Sequence, residues 1–329
     1  MTTLGRLPEK EILAALGSVA ELLRDGAPSL RELGVTQPAG PYALYYHQAE
    51  VVTRERDVRL IVRRLFAGRR RHDRARERLD AHRPFDIPRG TPWPAPAARA
   101  SSQVSAVLEE IRFDFETFFM VGAVLLDQWS YAVARLAGLK KPMECSFFPL
   151  VEERLEELNG SPVIAALQPF LPHLRWLTFW FRHFRNDFIV HIKEPTQRSH
   201  ISGGGANDIQ LFMPRAVGLR DDAEVEVAIR KLTRFAPEHI RKAPADYWEK
   251  ARPRRLLERI IENIGTVAKR DERNAIAHAA KLAGVTSPPS HVLTSVFART
   301  LADATAAALG GARKSLTLID LGVIRRASP

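Results

Sequence analysis

A chain of 329 residues with 45% hydrophobic and 26% charged side chains can bury a substantial core, which excludes the disordered and fibrous classes. Its net charge of +11 and pI near 10.1 favour polyanionic partners, nucleic acid first, and a single cysteine, Cys145, excludes an intrachain disulfide and any Cys-rich zinc site. The lone thiol fits a reducing compartment, residues 1–10 lack a basic-then-apolar leader, and uncharged runs such as 117–126 are too short to span a bilayer, so a cytoplasmic protein without membrane contact is expected.

In chain order, residues 9–23 predict an amphipathic helix with Ile12, Leu13, Leu16, Val19 and Leu23 on one side, stopped by Asp25-Gly26-Ala27-Pro28. After a break at Gln37-Pro38-Ala39-Gly40-Pro41, residues 42–82 predict a long Arg-rich helix whose apolar stripe is Val58, Ile61, Val62 and Leu65. Within it Arg69, Arg70 and Arg71 are candidate RNA contacts, while the mixed charges of residues 69–76 suit a solvated helix or pairing with acids equally well. Five prolines and Gly90 between Pro84 and Pro96 exclude a regular helix and mark a boundary. Ser101 or Ser102 is the expected cap of the next helix, which carries Val107, Ile111, Phe115, Phe118, Val121, Leu125 and Trp129 to about Leu136, where Gly138 and Pro142 end it. Its acids Asp114, Glu116 and Asp127 are expected in solvent, with the alternative that one of them holds an arginine of the motif described below.

Residues 151–158 precede a break at Gly160-Ser161-Pro162, and a helix from about Val163, interrupted at Pro172, leads into a strongly apolar run in which Trp176, Phe179, Trp180 and Phe184 are core residues rather than a base-stacking platform. The stretch 202–208 lacks the Lys-Ser/Thr of a phosphate loop and reads as a flexible turn. Residues 209–213 predict a short strand paired with 189–192, helices follow at 222–235, 247–267 and 291–309 with a loop at 285–289, and the tail 315–324 predicts a strand. The expected fold is mainly α: a multi-helix bundle with extra N- and C-terminal helical regions and at most a few short strands. Its regions are 1–92 (Arg-rich, helical), 93–215 (helical core) and 216–329 (helical). No metal site and no cofactor is expected.

The apolar run ends in Arg185-Asn186-Asp187-Phe188-Ile189-Val190-His191, and a second version, Arg273-Asn274-Ala275-Ile276-Ala277-His278, lies downstream. Arginine keeps its charge and can clamp a phosphate with paired donors, asparagine adds a donor and an acceptor, and histidine exchanges a proton near neutrality. Arg185, Asn186 and His191 are the primary candidates because a core-like helix leads into them. Arg273, Asn274 and His278 are secondary, since they sit in a charged segment that suits an exposed helix.

These residues resemble the Arg-x4–6-His signature of the HEPN superfamily, a group of helical nucleotide-binding domains, over residues 101–196. The resemblance implies a metal-independent RNase that works as a homodimer, often as a toxin or abortive-infection protein, with an antitoxin or regulatory protein as a further partner. Family members that a nucleotidyltransferase controls carry a Tyr two residues after the His, and Lys193 and Ala280 stand there instead.

The chemistry also follows from the residues. Removing the proton of a ribose 2′-hydroxyl and protonating the leaving 5′-oxygen suffice for transesterification, with a cation to stabilise the charge on phosphorus. One good histidine per chain leaves one proton-transfer role open, filled either by His191 of a second protomer across a two-fold axis or by His278 with Arg273 in one chain. On a straight α-helix six residues turn His191 about 240° from Arg185, so the helix has to loosen, bend or end there. Two other readings use the same residues without catalysis: a basic helical RNA-binding or regulatory protein, and a structural interaction module.

Overall fold

Apolar residues recur at three- and four-residue intervals over most of the chain, and in the computed structural model these stretches are helices joined by one short hairpin. The structure describes residues 7–32, 40–82, 92–139, 145–155, 160–190, 200–204, 208–212, 222–242 and 253–320. In order come α1 (Glu9–Glu32), α2 (Gly40–His82), α3 (Ala95–Leu136) and α4 (Phe147–Pro149), which runs on as a π-helical turn Leu150–Arg154. Then follow α5 (Pro162–Leu167), a 3-10 turn, and α6 (Leu171–Thr178), which continues as a π-helical segment Phe179–Val190. The hairpin β1 (His200–Gly204) and β2 (Asp208–Phe212) precedes α7 (Asp222–Lys231), α8 (Glu238–Arg241), α9 (Pro253–Glu262), α10 (Arg270–Ala283) and α11 (Ser290–Asp320).

The long helices α2 and α3 pack side by side. Val58, Ile61, Val62 and Leu65 of the α2 stripe are all buried against a core that includes Ile111, Phe115 and Phe118 of α3. Each such side chain contributes about 1.5–3 kcal/mol relative to exposure. Arg64 pairs with the buried Asp114 at 2.8 Å, and Arg71 with Glu110 at 2.7 Å. One hydrophobic core runs from Ile12 of α1 to Ala312 of α11, so all three regions defined on the sequence share it. Trp129 of α3 places its indole in this core and donates from Nε1 to Thr305 Oγ1 of α11 at 2.9 Å, which satisfies the polar atom that burial would otherwise strand. By length and hydropathy α3 and residues 290–314 of α11 would each reach across a bilayer, but 61% and 67% of their apolar windows are buried inside the fold.

Several local expectations give way to packing. α1 does not stop at Asp25-Gly26-Ala27-Pro28 but continues to Glu32. Gly26 is buried at the contact with α11, where an added Cβ would lie 2.6 Å from Leu309 Cδ2, and this close approach outweighs the turn propensity of the sequence. α3 starts at Ala95, ahead of the expected serine cap: Pro96 sits in the first turn, where its missing N–H costs nothing, and Ser102 donates back to the Ala98 carbonyl at 3.1 Å. Pro172 likewise opens α6 instead of interrupting a helix.

The expected pairing of 209–213 with 189–192 is also replaced. Residues 189 and 190 are π-helical, and β2 pairs antiparallel with β1, Ile201 opposite Leu211, so Gly203 and Gly204 belong to a strand rather than to a loose turn. Leu211 then exchanges two hydrogen bonds with Ser287, each 2.8 Å, which anchors the hairpin to the loop before α11. The tail is helical to Asp320, not a strand, because extending an existing helix adds one hydrogen bond per residue without a new nucleation cost. Pro142, Met213 and the stretches 156–159, 243–252 and 321–329 lie outside the described residues.

Candidate phosphate-binding site

The segment Phe179–Val190 sorts its side chains by chemistry. Phe181 and Phe184 are buried against α3, with Phe184 stacked on Phe119 at 4.5 Å between ring centroids and Phe181 edge-on to Phe118 at 5.5 Å. Gly122 makes this approach possible, since a Cβ there would collide with the ring of Phe181. Trp176, Phe179 and Trp180 are buried as well, as expected of core residues. The winding loosens to the π-helical pattern from Phe179, before the motif begins, and it persists to Val190.

Arg182, Arg185 and Asn186, with one edge of Phe181 beside them, line a pocket of about 300 Å³. Its other walls include Leu126 and Asp127 of α3, Phe147, Phe148 and Glu153 of α4 and its π-helical turn, and Arg270 of α10. Arg185 Nε donates to Asn186 Oδ1 at 3.0 Å, which orients the guanidinium along the pocket wall. Arg182 sits over the Phe148 ring, its Cζ 3.0 Å from the centroid, and its Nη1 is buried without a hydrogen-bond partner among the described residues. Arg270 pairs with Glu153 at 3.0 Å and approaches the same ring at 5.6 Å.

Three guanidiniums and two carboxylates thus line one small cavity. Burial, followed by the charges of Arg270 and Arg185, lowers the pKa of Arg182, although Glu152 and Glu153 oppose the shift. Burial raises Asp127 above the ordinary carboxylate range, opposed by the Phe147 N–H, which donates to its Oδ1 at 2.9 Å, and by the charge of Arg185. Of the three α3 acids expected in solvent, Asp114 is buried on Arg64, Glu116 accepts from Arg112 at 3.0 Å, and Asp127 lines the site beside Arg185.

No family model, curated protein or solved structure matches this chain. The site therefore rests on its own geometry.

His191 lies outside the described residues, so the structure brings together Arg185 and Asn186 of the primary set. The secondary set is divided: Arg273 is buried, Asn274 is partly buried, and His278 is exposed. The side chain of Arg273 is 6% exposed and forms an ion pair with Glu152, itself 4% exposed, through Nη2 and through Nε at 3.0 Å. Its Nη1 donates to the carbonyls of Val267 and Ala268. A guanidinium so occupied is a brace between α10 and the π-helical turn after α4, not the solvated arginine that its charged neighbours suggested. On α2, Arg70 pairs with Glu9 at 2.6 Å, Arg71 with Glu110, and Arg69 lies 4.0 Å from Asp73.

Arg182, Phe148, Glu153 and Arg270 were not among the residues singled out from sequence. Arg182 had a signal, since it stands one turn before Arg185 and shares its face. The others reach the pocket only through tertiary packing.

Proposed function

We propose that this protein is a metal-independent endoribonuclease of the HEPN type, with Arg185 and Asn186 holding the scissile phosphate and His191 carrying a proton. The observation that supports this most is the placement of Arg185 and Asn186 on the wall of a pocket beside Arg182, whose buried Nη1 has no hydrogen-bond partner among the described residues. An arginine used only for stability would be expected to be consumed by acids and carbonyls, as Arg273 is. The ribose 2′-oxygen attacks phosphorus, the bond to the 5′-oxygen breaks, and the products are a 2′,3′-cyclic phosphate and a 5′-hydroxyl. One proton leaves the 2′-hydroxyl and another reaches the 5′-oxygen, and His191 serves one of these transfers.

A homodimer supplies the other through the partner's His191. We assign its contact to the α3 stripe of Phe113, Met120 and Val124, which are 60%, 40% and 38% exposed and lead along one helix face to Asp127 at the pocket. A toxin or defence effector in the cytoplasm, restrained by an antitoxin or regulatory protein, is the setting this reading implies.

The test is incubation of purified protein with mixed RNA in excess chelator, alongside His191→Ala. Cleavage to cyclic-phosphate ends that falls by roughly 10²–10⁴-fold in the folded variant is expected. Equal cleavage by both proteins would remove His191 from the mechanism, and RNA binding without cleavage by the wild type would leave a basic RNA-binding protein. Sedimentation of Phe113→Glu/Met120→Glu should show a monomer where the wild type is a dimer.

A further inference from the structure

The pocket holds more positive charge than the reaction above assigns. Arg185 and Asn186 satisfy one another in part, Asp127 is engaged by the Phe147 N–H, and Arg270 is held by Glu153. Arg182 has no such arrangement. Its Nη1 is buried without a partner among the described residues, and two further guanidiniums lie close enough to depress its pKa. Leaving a buried charged donor unmet costs free energy, so a protein that keeps one at a cavity wall has a site that an anion from solution can complete.

We propose that Arg182 and Arg270 form a phosphate-binding subsite beside Arg185, and that Glu153 is its built-in competitor, a carboxylate that occupies Arg270 until a phosphate displaces it. The proposal rests on the phosphate-contact half of the function above and not on cleavage or on His191. Phe148 sets the geometry: Arg182 sits over its ring and Arg270 approaches the same ring, so one aromatic side chain brings both guanidiniums to the cavity.

A phosphate suits this arrangement better than a second carboxylate. Glu153 already offers a carboxylate and still leaves Arg182 Nη1 unmet, whereas a tetrahedral oxyanion presents enough acceptors for more than two guanidiniums at once. The cavity of about 300 Å³ stands at the lower end of small-molecule sites, which fits one nucleotide unit and not an extended stack of bases.

Glu153 makes the proposal unusual in sign. Removing a distant surface carboxylate should leave the affinity for one phosphate unchanged, but removing the carboxylate that pairs with Arg270 should free a ligand and raise phosphate affinity several-fold. The side chains of Arg270 and Glu153 are 45% and 36% exposed, so both can be changed without opening the core.

The experiment is calorimetric titration of the full-length protein with inorganic phosphate, adenosine 5′-monophosphate and adenosine at low salt. Phosphate and the monophosphate are expected to bind and adenosine is not. Arg270→Gln and Arg182→Gln should each weaken phosphate binding about tenfold or more, and Glu153→Gln should strengthen it several-fold, while Glu109→Gln, a surface control on α3, should leave it unchanged. Adenosine binding as tightly as the monophosphate, or Glu153→Gln failing to exceed Glu109→Gln, would overturn the proposal. If Arg182→Gln melts at lower temperature, Arg270→Gln alone decides the arginine arm. Short RNAs with a 5′-phosphate and with a 5′-hydroxyl then assign the source: equal binding points to an internal phosphodiester, and preference for the former to a terminal phosphate, each requiring the same subsite. RNA cleavage without phosphate binding sinks this proposal alone, and phosphate binding without cleavage sinks only the nuclease reading.

Discussion

Arg185-Asn186 and Arg273-Asn274 are the same dipeptide in one chain, and the fold gives them different tasks. Arg273 spends its donors on Glu152 and on two backbone carbonyls in a site almost closed to solvent, whereas Arg185 bonds to its own neighbour and lines a cavity. What separates them is the nearest available acid. The chain places Glu152 within reach of Arg273, and its neighbour Glu153 on the pocket wall. One turn before Arg273, Arg270 reaches that same pocket. The second motif's helix therefore contributes Arg270 to the cavity that Arg185 lines, and Arg273 braces that helix against the turn that carries Glu153.

The sharpest way to break this comparison is to remove each arginine and measure stability. Arg273→Met leaves Glu152 buried and unpaired, and should cost about 3–5 kcal/mol in denaturant unfolding. Arg185→Met should cost under about 1 kcal/mol, because its hydrogen bond is to the adjacent Asn186 and Asp127 keeps the Phe147 N–H. Comparable losses would mean that both arginines are braces.

A smaller effect concerns Asp127. Because burial raises its pKa in the folded protein, the folded state binds that proton more tightly than the unfolded state does. The stability this contributes is complete below the unfolded value, near pH 3.9, and is lost as pH rises through the raised folded value. Asp127→Asn retains an acceptor for the Phe147 N–H and does not ionise, so its melting temperature should gain on that of the wild type as pH rises across this window. A constant difference between the two would show that Asp127 is no more burdened in the fold than in the unfolded chain.

The smallest effect belongs to α2. Arg70 and Arg71 already face Glu9 and Glu110, and Arg69 stands near Asp73, so their neutralisation should flatten the salt dependence of RNA binding by well under the change of about 2 in log–log slope that three free contacts to single-stranded RNA would give. Filter binding across a salt series measures it, and the full change would mean that RNA displaces these acids.

The helices were legible in the sequence wherever an apolar stripe was long, as with Val58, Ile61, Val62 and Leu65 on α2, or Ile111 to Trp129 on α3, because burial and helical spacing agree there. Legibility failed where a distant partner decided the outcome. Gly26 looks like a stop until Leu309 is set beside it, and the partner of β2 is a nearby glycine-bearing strand that alternation did not reveal. At the site, Arg185 and Asn186 could be read from their motif, and Asp127 as an acid able to sit near Arg185. Phe148, Glu153 and Arg270 could not, since their common feature is a cavity that only the packing of α3, α4, α10 and the π-helical segment creates.

The central claim is that the first copy works on RNA and the second supports it. Single-turnover RNA cleavage by Arg185→Lys and by His278→Ala, at matched folded fraction, tests it most directly. Arg185→Lys should lose most activity although its charge is kept, because an ammonium lacks the planar pair of donors, and His278→Ala, altered at an exposed position, should lose far less. An active Arg185→Lys beside an inactive His278→Ala would contradict the account and move the site to α10.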